Sequence, residues 1–564
     1  MKGAWASFAA PLVLVTPMAW AQSAPQSPPA PAAAPVSAPA APAAPWISAP
    51  KLIVAISVDQ FSADLFAEYR NHFTSGFKRL LDGAVFPSGY QSHAATETCP
   101  GHSTILTGMH PARTGIIANN WTDLGTARPD KVVYCAEDES VPGSNSLAYT
   151  VSDKHLLVPT LGERMKAANP ASRVVSVAGK DRAAVMMGGH KVDQLWWWDG
   201  KKFVSYADRP VPEAIARTNE AIGAQIATAQ APLDLPDYCK SRDRAIDIGG
   251  GKTVGTGRFA RAAGDTRAFR ASPEADGAVF ALAAVLIQGM KLGQGSAPDL
   301  IAIGASATDY VGHTYGTEGS EMCLQLTELD RSMGDFFAAL DGMGIDYEVV
   351  LTADHGGHDL PERHREHGVT DAQRIDPAFT TKAVSAAVAA KLGLSGQVLF
   401  GDSGSGDVWI DPKLPAKTRD AVLKEALAEY RANRQVAFAF SRAEIEAAPA
   451  PTLPPPAWTP VQRAKASYYA PRSGDIVVGL KPDVTPIPDP TKGYVATHGS
   501  FWDYDRRVPI LFWRKGMTGF EQPLPIETVD IMPTLAATIG LPMAAPAPDG
   551  RCLDLDSGVG STCR

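Results

Sequence analysis

Six side chains of metal-ligand type recur in order along this chain. Asp309 and His313 are four residues apart, so a helix would set them about one turn from each other and near enough to share an ion. Asp354 and His355 are adjacent, and a strand running into a loop can fan such a pair towards neighbouring ions. Thr497-His498-Gly499 offers one more imidazole in a glycine-containing loop, and Asp59 one more carboxylate. Mixed aspartate and histidine donors suit zinc, with other divalent ions less favoured. Taken singly, each has an ordinary reading: an aspartate after a strand is usually a helix cap, and a lone histidine is usually surface or core. The ordered series is what those readings leave unexplained.

A hydroxyl stands upstream of this series, in Thr98-Cys99-Pro100-Gly101-His102-Ser103-Thr104. Thr98 precedes a helix predicted to begin near Pro100. The first amides of a helix favour negative charge, whether an alkoxide or a phosphoryl group. A coordinated cation would lower the hydroxyl pKa and activate a weak nucleophile. Alone, Thr98 reads as a plain N-cap.

The elements that must position these groups are apolar runs alternating with helical segments. Leu52–Val58 is nearly continuous in apolar residues, as a strand buried on both faces requires. Val174–Ala178, Leu300–Gly304, Tyr347–Thr352 and Pro509–Trp513 repeat the pattern. Pro273–Met290 and Leu324–Leu340 read as helices, the second with Leu326, Leu329, Met333, Phe336, Phe337 and Leu340 at helical spacing. The class is therefore α/β, a mostly parallel central sheet flanked by helices. Such sheets bind ligands beyond the carboxyl ends of their strands. Asp59, Asp309, His313, Asp354 and His355 all follow strand runs, as that rule demands. Two insertions interrupt the series: about 196–272, rich in charge, Pro and Trp, is predicted to cap the site. About 360–492 carries strands of its own (398–401, 407–410, 475–480), a helix over 417–433 and a capping box at Ser441–Glu444.

Composition sets the surroundings. Sixty acidic against 52 basic residues give a net charge of −8, which argues against nucleic acid as a specific partner. Residues 1–21 read as a signal peptide: Lys2, an apolar stretch from Ala4 to Ala19, then Ala19-Trp20-Ala21 as a small-x-small cleavage site. Pro11 and Pro17 break that stretch, which is short for a membrane span. Residues 22–50 are an Ala/Pro-rich linker unable to bury a core. The expected location is periplasmic or secreted, without a membrane span once the signal is removed. Six cysteines then enter an oxidising compartment. Cys552 and Cys563 are the favoured pair; Cys99 reads as packing or as a disulfide, with Cys323 as a candidate partner. Residues 51–553 form the predicted catalytic domain and 554–564 a tail.

Together these motifs resemble the alkaline phosphatase superfamily, and within it the PafA/PhoK-type alkaline phosphatases. The resemblance runs from Lys51 to about Leu553. It rests on Ile53–Asp59, Thr98 to Asn119, Gly179-Lys180-Asp181-Arg182, Thr308–His313, Ala353-Asp354-His355-Gly356-Gly357, Thr497-His498-Gly499 and Val529–Thr534. It implies two zinc ions, one held by Asp309, His313 and His498, the other by Asp59, Asp354 and His355 with Thr98 as its reactive ligand. It further implies that Asn119 binds phosphate and that Lys180 and Arg182 mark the monoesterase branch. A monoester dianion presents three nonbridging oxygens, to which an amide, a compact cation and a planar fork can be matched. A diester esterifies one of those oxygens, and two cations there would lose their purpose.

The implied activity is hydrolysis of small phosphate monoesters through a phosphothreonine at Thr98, with an alkaline optimum. A phosphodiesterase or nucleotide pyrophosphatase with the same metals is the nearest alternative, and a noncatalytic metal-dependent binding protein a more distant one. A sulfatase is disfavoured because Thr98-Cys99-Pro100 lacks the Cys-x-Pro-x-Arg pattern. Trp196-Trp197-Trp198 could wall the site or pack within the cap. His358, His364 and His367 could bind another ion but, lacking a recognised ligand spacing, read as a solvated polar loop; no clear motif supports a structural calcium, and monomer and homodimer are both compatible with the sequence.

Overall fold

The computed structural model describes residues 48–401 and 404–563. The proposed signal peptide and nearly all of the linker lie outside the described residues.

Five parallel strands form the middle of the main sheet, in the order Tyr347–Thr352, Leu52–Val58, Asp299–Ala305, Val174–Ala178, Gln194–Trp198. Every residue of Leu52–Val58, Val174–Ala178 and Asp299–Ala305 is buried, as their unbroken apolar runs require with helices on both faces. Arg507–Arg514 joins antiparallel beside Tyr347–Thr352 and pairs with Ala84–Tyr90, while Phe203–Val204 closes the far edge antiparallel. The expected α/β architecture is present, and its parallel strands all point their carboxyl ends to one side.

Two apolar layers sandwich this sheet. One gathers Phe61, Phe77, Phe280, Phe337 and Leu326 beneath the long helices Pro273–Met290 and Ser320–Gly342. The other gathers Ile105, Met109, Met186, Met187 and Leu535 beneath Thr98–Ile105, Asp181–Gly188 and Ile531–Thr538. Residues of the second insertion build a separate antiparallel sheet of Leu399–Phe400, Gly406–Ile410, Ile476–Leu480 and Val436–Ser441, covered by Thr381–Leu392 and Ala416–Ala432 around a core with Val388, Val422 and Tyr430. Ser441 and Glu444 form the anticipated capping box.

Two expectations need correction. Trp196, Trp197 and Trp198 are not cap residues but most of a strand in the main sheet, buried to 0%, 7% and 8% exposure. Large aromatic side chains are compatible with a near-edge strand packed on both faces. Cys99 bonds Cys135, and Cys323 bonds Cys239 instead; Cys552–Cys563 pairs as anticipated. Cys323 lies on a helix of the opposite layer from Cys99, so the sheet stands between them.

Candidate metal and phosphate site

Except for His498, which lies in the loop after Pro490–Lys492, each ligand-type residue leaves the fold after a parallel strand. Asp59 follows Leu52–Val58, and Asp354 and His355 follow Tyr347–Thr352. Asp309 and His313 lie on the helix Ala307–Tyr315, which begins just after Asp299–Ala305. Lys180 caps the helix that follows Val174–Ala178, and Arg182 sits in its first turn. Thr98 is the first residue of its helix, one step inside the predicted N-cap position, which Glu97 takes. Gly101 lets this helix pack directly on the Asp354 backbone, because a Cβ there would overlap the Asp354 carbonyl oxygen.

Two groups of donors result. His313 Nε2 and His498 Nε2 lie 3.3 and 3.2 Å from Asp309 Oδ1. In the second group, His355 Nε2 is 3.2 Å from Asp354 Oδ2, and His102 Nε2 is 3.3 Å from Asp59 Oδ1. Sequence reasoning misses His102. Its spacing four residues after Thr98 is the available signal, since it returns one helical turn later to the same face. Asp59, Asp354, His355 and His102 are each 0% exposed.

The donor chemistry fits divalent cations. Both Asp59 oxygens, Asp309 Oδ1, Asp354 Oδ2 and the Nε2 atoms of His102 and His355 are buried without a hydrogen-bond partner. Orphaned buried acceptors at this density are costly unless a cation satisfies them. All four imidazoles are oriented through Nδ1, by the carbonyls of Ala496 for His313, Thr96 for His498, Gly356 for His355 and Thr98 for His102, at 2.8 to 2.9 Å. An Nδ1–H donated to a carbonyl leaves the Nε2 lone pair for a metal.

Cationic groups also meet the Thr98 hydroxyl. Lys180 Nζ lies 2.6 Å from Asp309 Oδ2, 3.1 Å from Asp59 Oδ2 and 3.4 Å from Thr98 Oγ1. Burial opposes its charge, but Asp309 and Asp59 outweigh that and hold the ammonium protonated. Burial likewise pushes Asp309 up, while His313 and Lys180 bring its carboxyl well below the usual range. Arg182 approaches Thr98 Oγ1 at 3.5 Å and the Tyr134 hydroxyl at 3.5 Å. The Tyr134 and Tyr149 hydroxyls donate to the two oxygens of Asp181 at 2.6 and 2.8 Å, fixing the wall beside the guanidinium. Asn119 accepts the Cys99 N–H on Oδ1 at 2.8 Å, which leaves its Nδ2 unused among the described residues.

Of the histidines that follow Gly356 and Gly357, His367 is exposed as a solvated loop requires, whereas His358 is buried and His364 partly so. His358 is 6% exposed and bonds Thr485, and His364 and His367 lie against Glu318. Glu318, Asp359 and His364 converge as a third group, but Arg363 already grips both Asp359 oxygens at 2.7 and 2.8 Å. Among the described residues no helix is long and apolar enough to cross a membrane.

Comparison with known proteins identifies the family. The family model for type I phosphodiesterase / nucleotide pyrophosphatase matches residues 53–501. Alkaline phosphatase PhoK of Sphingomonas sp is 58% identical over 518 residues, covering 91% of this chain and 92% of that protein. Alkaline phosphatase PhoD of Zymomonas mobilis is 50% identical over 520 residues, covering 92% and 90%. The crystal structure of alkaline phosphatase PafA superposes with a TM-score of 0.77 at 26% identity, over 90% of this chain and 99% of that one. The chain belongs to the type I phosphodiesterase / nucleotide pyrophosphatase family, within the alkaline phosphatase superfamily.

Proposed function

We propose that this protein is an exported, two-zinc alkaline phosphatase that hydrolyses phosphate monoesters through a phosphothreonine at Thr98. The observation that carries the proposal is the approach of both Lys180 and Arg182 to the Thr98 hydroxyl, beside two groups of orphaned carboxylate and imidazole donors. The alkaline phosphatases PhoK and PhoD, similar over nine tenths of the chain, support the activity.

Asp309, His313 and His498 would hold one zinc, and Asp59, Asp354 and His355 the other, next to Thr98. Bound there, zinc supplies Lewis acidity to the attacking and departing oxygens. The chain's own residues do the rest. Thr98 Oγ attacks phosphorus in line with the leaving oxygen, forming the Thr98–phosphorus bond as the ester bond breaks. Lys180, Arg182 and the Asn119 amide hold nonbridging oxygens through attack and through the later hydrolysis of phosphothreonine. Two inversions retain configuration at phosphorus.

Lys180 and Arg182 disfavour the diesterase alternative, because a diester carries one negative charge where this site offers two cations. Export is supported by the pairing of all six cysteines, which an oxidising compartment permits. Comparing kcat/KM for an aryl phosphate monoester and the matching methyl diester tests the function. A clear monoester preference is expected; a diester preference would overturn it.

A further inference from the structure

We infer that the Cys99–Cys135 disulfide is a positioning device for Asn119, holding the amide that receives phosphate. This rests on the reading of Asn119 as a phosphate ligand. Cys99 is the neighbour of Thr98 in the first turn of the nucleophile helix, and Cys135 directly follows the strand Val132–Tyr134. The bridge between them closes across Asn119. The Cys99 N–H donates to Asn119 Oδ1 at 2.8 Å, and the Cys135 N–H donates to the Asn119 carbonyl oxygen at 2.9 Å. The Asn119 N–H is taken by Glu97 Oε2 at 2.7 Å. The backbone groups of Asn119 and its side-chain oxygen are therefore committed, two of them to the amides of the bonded cysteines.

An amide tied through its oxygen can present only its NH2 to the site, so the network decides which way Asn119 faces. Its two cysteine donors belong to segments 36 residues apart in sequence, and the covalent bridge fixes their separation. Both cysteines are 0% exposed, so the link is held within packed surroundings. Strand pairing of Asn120 with Tyr134 carries the same bracket to the residue whose hydroxyl meets Arg182. Cross-linking thus sets the nucleophile's helix, the phosphate amide and the arginine's neighbour in one frame. Removing it leaves every donor in place but lets their mutual distances relax, which is a loss of preorganisation.

A double-mutant cycle separates this role from general stabilisation. Cys99→Ala/Cys135→Ala is made in the native and in the Asn119→Ala backgrounds, with melting temperature and bound zinc measured for each. With Asn119 present, loss of the bridge should lower kcat/KM for an aryl phosphate monoester about tenfold and raise the inhibition constant of inorganic phosphate about as much, on the order of one weakened charge-assisted hydrogen bond. With Asn119 already removed, the further change should stay below about twofold. An equal loss in both backgrounds, or none with Asn119 present, overturns the inference. Asn119→Ala leaving both constants unchanged would instead refute the role of Asn119 itself. If the cysteine variant does not fold, native protein is reduced with a phosphine and alkylated in a time course. Phosphate inhibition should then weaken in step with scission of Cys99–Cys135; tracking with Cys239–Cys323 or Cys552–Cys563 overturns the inference.

Discussion

Lys180 Nζ lies 3.4 Å from Thr98 Oγ1 at the end of a strand that contributes no metal-ligand residue. The ammonium is thus a separate source of positive charge at the Thr98 hydroxyl, and it also faces one carboxylate from each donor group. On the proposed function, this relationship is what fits the site to a monoester dianion.

Lys180→Ala and Arg182→Ala should each lower monoester kcat/KM by about 10- to 100-fold, the worth of one charge-assisted hydrogen bond to a dianion. Diester hydrolysis should change far less, because a diester lacks the charge these groups meet. Parallel kinetics on the two substrates read the difference, and equal losses on both would contradict the assignment.

Chelation should abolish turnover and lower the melting temperature together. Without ions the buried carboxylates of Asp59, Asp309 and Asp354 keep only Lys180 and the histidines as countercharge. Ligand linkage at a thousandfold excess of zinc over its Kd is worth about 4 kcal/mol per site. Calorimetry of the apo and reconstituted protein, with elemental analysis, should show two zinc ions per chain and a reversible shift. An unchanged melting temperature would argue that the donor groups do not bind ions.

His102 lies between Asp59 and Asp354, with Nε2 3.3 Å from one and Nδ1 3.3 Å from the other. Its removal should loosen the ion held by those carboxylates. His102→Ala is expected to weaken zinc retention about 10- to 100-fold. Excess zinc should restore most activity. Full retention of zinc during dialysis would count against this role.

Away from the site, His110 ties the segment after the helix Thr98–Ile105 to the C-terminal region. Its Nε2 is 3.1 Å from Glu527 and its Nδ1 3.2 Å from Asp549. Burial opposes its charge, but hydrogen bonds to Asp549 and Glu527 prevail and push it up to about 9 from 6.5. A raised folded value means the stabilisation is complete below about pH 6.5 and is lost as pH rises through 9. The histidine's share is on the order of 3 kcal/mol. His110→Gln should therefore lower the melting temperature markedly at pH 6 and little at pH 10. A gap of the same size at both values would contradict the linkage.

The strand ends are readable because burial on two faces leaves an unbroken apolar run, and a polar residue that stops such a run is conspicuous. Asp59 and Asp354 stand out for that reason, and Asp309 by its four-residue spacing to His313 on the next helix. His102 does not, because a histidine inside a buried helix has the same sequence signature whether it faces a core or an ion. Trp196–Trp198 is hard to place because bulky aromatics and nearby charges obscure a short near-edge strand. Cysteine pairing is the least legible: Cys135 reaches Cys99 through the hairpin of Asn120–Thr122 with Val132–Tyr134, whose packing against the helix Thr98–Ile105 leaves no local sequence signal.

The most direct test of the account is Thr98→Ala, with bound zinc measured beside turnover of an aryl phosphate monoester. Loss of turnover with zinc retained, together with loss of an acid-stable phosphoryl label that native protein carries on the Thr98 peptide, is the predicted result. Near-normal turnover would contradict Thr98 as the nucleophile.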